Sequence, residues 1–385
     1  MNRKQPVRCP DHVLADTAAN RVLYFKRHLT NHLHMNGAIN QSLSAISRAS
    51  GPRVVILTGP TGVGKTTMAR SLYRTLQKEY QDEAERDKGV IPVSGICAVP
   101  PNGSAFNWKD FYIRLLTGHG DILIDRKLAT HRQGEIFPDA IPVTPLEGSA
   151  APNLRRALEN SLRHRKTKVL IIDEAHHILM VKNAVDLEYQ FESLKSLTIE
   201  TDVTIVLVGT YRLLDIRDQS GQLVRRSEIV HFPRYDIRAA ADRAAFSSVL
   251  TELAYQLPLP SVPDFSHDLD YFYTKTGGCV GILKDWLCRC LEDAITKNKK
   301  TFTADDAERL SLKNKALRTI IEEAMLGETK LEDEATDNIR NLLLNGLPEV
   351  GSKPATINKS LGRGRKVGER LPTRDPVGGI DHVVS

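Results

Sequence analysis

The chain has 385 residues and a net charge of +6, with 41% hydrophobic and 26% charged residues, which is ordinary for a soluble globular protein. No apolar run approaches the roughly 20 residues of a membrane helix, and the N-terminus lacks the apolar stretch of a secretory signal. The five cysteines are odd in number and lack CxxC spacing, which argues against a disulfide framework or a zinc site. We therefore expect a cytoplasmic protein with reduced thiols and no membrane partner.

Residues 1–50 predict a polar helical segment. Scattered apolar positions favour helices over residues 14–35 and 39–46, with a break at Asn36–Gly37. His28, His32 and His34 suggest a metal site at first sight. Because no cysteine or acidic pair lies near them, we expect them on a solvent-exposed helix instead.

Residues 51–237 alternate short apolar runs with helical patterns. The predicted strands cover residues 53–58, 90–99, 168–172, 203–209 and 228–232, and the intervening helices are centred on residues 67–87, 108–116, 154–162 and 187–197. Glycine and proline between residues 117 and 151 indicate an insertion of loops. Strands that alternate with helices predict an α/β fold with a mostly parallel five-stranded sheet that is covered on both faces.

After residue 237 only helices are predicted. Residues 238–325 form a helical lid, with helices over residues 238–257 and 281–297 and a further helix that begins at Thr303. Residues 326–385 are assigned to a C-terminal helix and a basic tail, and we expect disorder from Gly351 onward. The tail carries a net charge of +4, which leaves only +2 for the first 350 residues. DNA contact by the folded body would therefore need a local basic patch.

A phosphate-binding loop follows the first predicted strand and opens a helix. Its residues match G-x-x-x-x-G-K-[ST] in full: Gly59, Pro60, Thr61, Gly62, Val63, Gly64, Lys65 and Thr66. Backbone amides of such a loop, with Thr67 behind it, converge on phosphate oxygens at a helix N-terminus. Lys65 is expected to neutralise the β- and γ-phosphates of ATP and Thr66 to ligate Mg²⁺.

Two acids end the third predicted strand, Asp173 and Glu174. They fall at the carboxyl edge of the sheet, where α/β folds bind ligands. We expect Asp173 to hold Mg²⁺ and Glu174 to accept a proton from the attacking water. Asp173-Glu174-Ala175-His176 also spells the DEAH box of a helicase class, but no second helicase core is found. We expect His176 and His177 to be packing or surface residues.

Thr210 follows the fourth predicted strand and is placed to hold the attacking water. Arg225 and Arg226 precede the fifth strand, where ring ATPases carry an arginine finger that contacts the γ-phosphate of a neighbouring subunit. An exposed basic pair with no such role is the alternative, and the sequence does not rank one arginine above the other.

These motifs in this order resemble an AAA+ ATPase over about residues 50–310. The Asp173–His177 run, Val208-Gly209-Thr210 and the turn at residues 276–281 resemble transposition regulators of the TnsC/TniB type, related more distantly to MuB and ExeA-like ATPases. The resemblance implies ATP-dependent ring or helical assembly on double-stranded DNA in the bacterial cytoplasm. It also implies a transposase and a TniQ-like target-selection protein as partners.

Two details qualify this resemblance. Gly281 stands where many AAA+ proteins carry a lid arginine, and Lys284 is a candidate substitute at the nucleotide. Slow hydrolysis, with the nucleotide as an assembly switch, is therefore expected. A small set of cations beyond the second strand is a candidate DNA contact: Lys109, Arg114, Arg126, Lys127 and Arg132.

Rival assignments remain open at this point. A replication initiator or helicase loader is the main alternative, although little chain remains after the lid for a winged-helix domain. A signalling ATPase of the STAND class would add repeat arrays, and a secretion ATPase would add a membrane helix. Neither feature is evident in the sequence.

Overall fold

A computed structural model describes residues 7–48, 53–101, 103, 106–119, 151–180, 184–217 and 227–346. The described chain falls into two compact units that divide between Leu331 and Glu332. The second unit contributes one described helix, Thr336–Asn345. No helix within the described ranges is long and apolar enough to cross a membrane. The predicted tail from Gly351 lies outside the described residues.

A five-stranded sheet forms the centre of the first unit, as predicted. All its pairings are parallel, in the order β2-β3-β4-β1-β5. The strands are β1 (Val54–Thr58), β2 (Val93–Cys97), β3 (Val169–Asp173), β4 (Thr204–Gly209) and β5 (Ser227–His231). β1 and β4 are buried at every position because helices cover both faces of the sheet. The carboxyl ends of β1, β3 and β4 therefore meet at one edge.

Helices cover the two faces of the sheet with separate apolar clusters. In chain order they are α1 (Asp11–Leu14), α2 (Ala18–Arg27), α3 (Leu33–Ser47), α4 (Lys65–Glu79), α5 (Gln81–Arg86), α6 (Trp108–Gly118), α7 (Ala151–His164), α8 (Ala184–Thr201) and α9 (Leu214–Arg217). α3 and α4 pack on one face, and α6, α7 and α8 pack on the other. The helical spacing of Leu154, Leu158 and Leu162 is confirmed, since all three are fully buried in α7.

The lid follows β5 as a helical layer with its own core. Its helices are α10 (Ala240–Gln256), α11 (Leu269–Thr276), α12 (Val280–Thr296), α13 (Ala304–Glu308) and α14 (Asn314–Thr329). Trp286 and Leu283 of α12 lie at the centre of this cluster. Thr303 caps α13 through a reciprocal capping box with Asp306, as the acids in the first turn suggested.

The N-terminal segment differs from its prediction. Its helices are separated at residues 28–32, which we call the connector, whereas Gly37 lies inside α3. Phe25 of α2 packs in the lid cluster, while Met35 and Ala38 of α3 pack against the sheet. Burial of the apolar face of α3 therefore outweighs the modest helix penalty of Gly37, roughly 1 kcal/mol. The break occurs where the chain passes from the lid to the sheet.

The three N-terminal histidines are structural, so the expectation of a solvent-exposed helix is wrong. His32 is buried, shares a hydrogen bond with the Tyr235 hydroxyl (3.1 Å) and stacks on Phe232. His34 contacts Asp242 at 3.1 Å, and His28 contacts Glu252 at 3.4 Å. These contacts attach both ends of the connector to the lid and the sheet.

Burial of His32 predicts a stability change in mild acid. Desolvation, with a smaller contribution from the charge of His34, lowers the pKa of His32 to about 4. The unfolded state, with a pKa of about 6.5, then binds a proton that the folded state excludes. Stability present above pH 6.5 is therefore lost as the pH falls towards 4, by up to about 1.4 kcal/mol per pH unit.

Urea denaturation at pH 7 and pH 5 tests this expectation. His32→Gln should show a smaller loss between the two pH values than the wild type, and the exposed His267→Gln should match the wild type. Equal pH dependence in all three proteins would contradict the assignment.

Candidate active site

The P-loop joins β1 to α4 and depends on glycine at two points. Gly64 caps α4 with φ +111°, and Gly62 has φ +78°, conformations that L-residues rarely adopt. A Cβ atom on Gly62 would also lie 2.5 Å from the Ile282 side chain. The loop can therefore follow this path only with glycine at these positions, and it leads into the N-terminus of α4, where the helix dipole favours an anion.

Lys65 is the first residue of α4 and is buried. Its Nζ atom donates hydrogen bonds to the carbonyl oxygens of Gly59 (3.0 Å) and Pro60 (2.8 Å). Burial lowers the pKa of Lys65, and the charges of Glu174 and Asp173 oppose this effect. The ammonium group is thus held against the loop, and an incoming phosphate would compete with carbonyl oxygens for it.

The acidic pair lies at the carboxyl end of β3. Oδ1 of Asp173 accepts a hydrogen bond from the backbone amide of Glu174 at 2.9 Å. Glu174 itself has φ +53°, an unusual value for a residue other than glycine. Such backbone strain recurs at functional sites. Here it turns the chain sharply after the strand, so that Thr66, Asp173 and Glu174 all line one cleft beside α4.

Thr210 follows β4 and carries a buried hydroxyl group. Its Oγ1 atom has no hydrogen-bond partner within the described part of the chain. Leaving such a group unsatisfied costs about 1–3 kcal/mol, so the hydroxyl is available to a water molecule or a ligand oxygen. Thr210 lines the same cleft as Lys65 and Glu174.

His176 lies between the ends of β3 and β4. Its Nδ1 atom is 3.3 Å from Oε2 of Glu174, and a Cβ atom on Gly209 would lie 3.1 Å from the same nitrogen. Burial lowers the pKa of His176 to about 4, so the ring is neutral near pH 7. The prediction of a packing or surface residue did not anticipate this contact with Glu174.

The N-terminus of lid helix α12 rests directly on the P-loop. The amide of Ile282 donates a hydrogen bond to the carbonyl oxygen of Gly62 at 3.0 Å. A Cβ atom on Gly281 would lie 2.4 Å from that oxygen and 3.3 Å from the amide nitrogen of Gly64. Gly281, which departs from the lid arginine of many AAA+ proteins, therefore permits a close backbone contact between lid and loop.

Lys284, the predicted substitute for that arginine, forms no hydrogen bond to the described residues of the P-loop. Its Nζ atom donates to the carbonyl oxygens of Lys26 (2.9 Å) and His28 (2.5 Å) at the C-terminus of α2, where a cation is favourable. Burial lowers the pKa of Lys284. The residue also lines the cleft between the P-loop and α12, but in this conformation its charge is used to attach α2 to α12.

A cleft of about 690 Å³ lies between the P-loop and α12, which is within the usual size range of ligand sites. Arg289 lines it two turns after Gly281, and none of the described residues forms an ion pair with it. Arg289 was not predicted as a site residue. Its spacing of eight residues from Gly281, which puts both on one helix face, is the signal that could have identified it.

Most of the residues predicted for the nucleotide site line this cleft or the adjoining cleft beside α4. Those that line the 690 Å³ cleft are Thr61, Gly62, Gly64, Lys65, Thr66, Thr67, Glu174, Thr210 and Lys284. Gly59 and Pro60 supply carbonyl oxygens to Lys65, and Val63 is buried beneath the loop. Thr66 and Asp173 line the adjoining cleft and offer hydroxyl and carboxylate oxygens, the ligands that Mg²⁺ prefers.

The other predicted contact residues either do not line this cleft or lie outside the described residues. Arg225, Arg226, Arg126, Lys127 and Arg132 belong to the undescribed part. Lys109 and Arg114 lie on α6, and Arg114 forms an ion pair with Asp110 at 2.9 Å. The DNA-contact assignments of Lys109 and Arg114 stay predictions.

The contact between lid and loop predicts a sensitive glycine. In Gly281→Ala the added methyl group should displace α12 from the P-loop and break the Ile282–Gly62 hydrogen bond, a loss of about 0.5–1.5 kcal/mol. Affinity for ATP, titrated with a fluorescent analogue, should fall by up to about tenfold. Gly37→Ala is the control, because nothing lies within 4 Å of the added atom. Wild-type affinity in Gly281→Ala would show that the contact does not support nucleotide binding.

Comparison with known proteins agrees with this geometry. Residues 47–216 match the family model described as AAA domain. None of the curated proteins compared with the sequence matches it.

Several solved structures are similar to this chain at low identity. The Aeropyrum pernix ORC2 protein has 14% identity and a TM-score of 0.45, with 85% of this chain and 84% of that chain covered. The A. pernix ORC1 protein in complex with DNA has 17% identity and a TM-score of 0.48, with 75% and 68% covered. Domain III of the replication initiation protein DnaA from Thermotoga maritima has 13% identity and a TM-score of 0.41, with 78% and 97% covered.

Similarities at this level carry no inference about function. Together, the family model matched over residues 47–216, the five-stranded parallel sheet and the P-loop agree on an α/β P-loop fold that is similar to an AAA domain in that part of the chain.

Proposed function

We propose that this protein is an ATP-dependent DNA-binding regulator of transposition, which assembles on target DNA and recruits or activates a transposase. The observation that carries the ATPase part is the convergence of Lys65, Glu174 and the unpaired Thr210 hydroxyl on one cleft. The transposition part rests on the resemblance of the Asp173–His177 run and the Val208-Gly209-Thr210 strand end to regulators of the TnsC/TniB type.

Hydrolysis of ATP would use the side chains that line the two neighbouring clefts. The β- and γ-phosphates would lie on the P-loop amides at the N-terminus of α4, and Lys65 would exchange its bonds to Gly59 and Pro60 for bonds to phosphate oxygens. Glu174 would accept a proton from the attacking water, while the Thr210 hydroxyl would orient that water from the β4 side. Thr66 and Asp173 would hold Mg²⁺, which neutralises developing charge on the phosphates.

The nucleotide would control assembly as a switch, rather than drive repeated movement through rapid hydrolysis. Gly281 replaces the lid arginine of many AAA+ proteins, and Lys284 donates its hydrogen bonds to carbonyl oxygens at the end of α2, so neither position provides a cation that is held on the P-loop. Slow hydrolysis follows if that arginine is needed for fast turnover. Either Arg225 or Arg226 would act as the finger that reaches the γ-phosphate of the next subunit in a ring or helical oligomer.

The partners are those that the resemblance implies: double-stranded DNA, further copies of the chain, a transposase and a TniQ-like target-selection protein. A replication initiator or helicase loader of the AAA+ class shares the ATPase core. The two functions differ in how they select DNA, and the salt and sequence dependence of binding separates them.

Two substitutions at the cleft should have opposite effects on DNA-bound protein. Lys65→Ala removes the ammonium group that faces the phosphates, so ATP binding and assembly on DNA should fail. Glu174→Gln keeps the shape but removes the proton acceptor, so hydrolysis should fall by about 10²–10⁴-fold while ATP stays bound and assemblies persist. The readout is DNA-bound protein over time, after ATP addition and then dilution into ATP-free buffer.

Lys78→Ala, an exposed lysine of the same helix, is the matched control for Lys65→Ala and should behave like the wild type. Equal, fast release of Glu174→Gln and wild type from DNA would refute the switch, even if Lys65→Ala fails to bind ATP.

DNA binding with ATP should depend on salt and not on sequence. Each neutralised phosphate should steepen the decline of log K with log salt by about 0.9, because binding releases counterions. Fluorescence anisotropy with unrelated duplexes measures both properties. Strong preference for one duplex would favour the replication-initiator alternative, and salt-insensitive binding would contradict a phosphate-backbone interface.

A further inference from the structure

Three potential metal ligands meet at the end of β3. Glu174, His176 and His177 each offer one ligand atom, and these atoms all lie within 4.8 Å of one another. No other group of three or more histidine, cysteine or acidic side chains in the described ranges is this close. The hydrolysis proposed above uses Glu174 but neither histidine, so the cluster has no assigned role.

The local backbone brings the three side chains together. The positive φ of Glu174 turns the chain into a short 3₁₀ helix, Ala175–Leu179, which carries both histidines. Adjacent residues of a 3₁₀ helix are about 120° apart around its axis and normally diverge. Here the two rings converge, with their centroids 4.3 Å apart.

The nitrogen that faces Glu174 is free to bind. His176 Nδ1 lies 3.3 Å from Glu174 Oε2, without hydrogen-bond geometry, and has no hydrogen-bond partner among the described residues. A buried polar atom without a partner is uncommon and costs about 1–3 kcal/mol. A cation bound between this nitrogen and the carboxylate would satisfy both groups at once.

The donor set selects the kind of metal. Two imidazoles and one carboxylate suit Zn²⁺ and similar transition-metal ions, whereas Mg²⁺ prefers oxygen ligands only. The Met180 sulfur lies 3.3 Å from His177 Nδ1, and a thioether sulfur is a soft ligand that suits transition-metal ions better than Mg²⁺. Zinc bonds of about 2.0–2.2 Å require ligand atoms about 3.4 Å apart, so the side chains must rotate slightly inward. Glu174, His176 and His177 are all partly exposed, which permits that rotation.

We propose that Glu174, His176 and His177 form a binding site for a transition-metal dication such as Zn²⁺, and that the bound ion inhibits ATP hydrolysis by occupying the Glu174 carboxylate. A metal-bound carboxylate cannot accept the proton of the attacking water. The P-loop, Thr66 and Asp173 stay free for the nucleotide. The inhibitory part rests on the proposed ATPase activity, whereas metal binding does not.

Metal binding is tested on the full chain without nucleotide, with Co²⁺ as a spectroscopic probe and Zn²⁺ as its competitor. Wild-type protein should bind one ion with nitrogen and oxygen ligands, and His177→Ala should bind at least about tenfold more weakly. Two variants serve as controls and should match the wild type. Cys97→Ser removes an exposed thiol near the acidic pair, and His267→Ala removes an exposed histidine elsewhere. Thermal melts confirm that each variant is folded.

Equal affinity in His177→Ala and wild type, or loss of binding in Cys97→Ser, would overturn the site. A ligand spectrum with thiolate character would overturn it as well.

Inhibition is tested with saturating Mg²⁺ and ATP. Micromolar Zn²⁺ should slow hydrolysis by the wild type and not by His177→Ala, whose basal rate should be unchanged. A chelator selective for zinc should restore the wild-type rate. Equal inhibition of both proteins, or none of either, would overturn the inhibitory part. If the wild type hydrolyses no ATP at all, the proposed function fails, but the Co²⁺ measurement still decides the metal site.

Discussion

The backbone contact between the P-loop and lid helix α12 is the constraint on which the proposed nucleotide site depends. The sheet with its flanking helices and the lid have separate apolar clusters, so their cores do not by themselves fix the cleft between them. The Ile282–Gly62 hydrogen bond does so, and glycine at 281 is what allows the two backbones to approach. A side chain at this position would enlarge the cleft and separate the lid face from Lys65 and Glu174.

The N-terminal segment reinforces this arrangement from outside the cleft. α2 belongs to the lid cluster and α3 to the sheet cluster, while the connector contacts both through His32, Tyr235 and Phe232. Lys284 attaches the end of α2 to α12. A movement of the lid that opened the cleft would therefore carry α2 with it and strain the connector. The Lys284 ammonium group, which was predicted to contact the nucleotide, therefore holds α2 against the lid helix α12 instead.

The sheet and the functional residues at its carboxyl edge could be predicted because the hydrophobic pattern and the motif spacing, both local in the sequence, indicate the same elements. The run from Val169 to Asp173 is apolar and ends in an acid, and the P-loop has a fixed glycine spacing, so both element type and position follow from the sequence. The contacts of the lid could not be predicted in the same way. The sequence shows that Gly281 stands at the position of the usual lid arginine and that Lys284 is a candidate substitute. Their contacts, with Gly62 and with the α2 carbonyl oxygens, join residues more than 200 positions apart and depend on tertiary packing. The break at the connector was misplaced because burial of α3 outweighs the local signal of Gly37.

Hydrogen exchange of the wild-type protein with and without ATP tests the central claim that nucleotide binds between loop and lid. The claim predicts that ATP slows exchange of the P-loop amides and of the first turns of α12 together, with the end of α2 also protected. Protection confined to the P-loop, with α12 and α2 unchanged, would show that the lid takes no part in binding and would contradict this account.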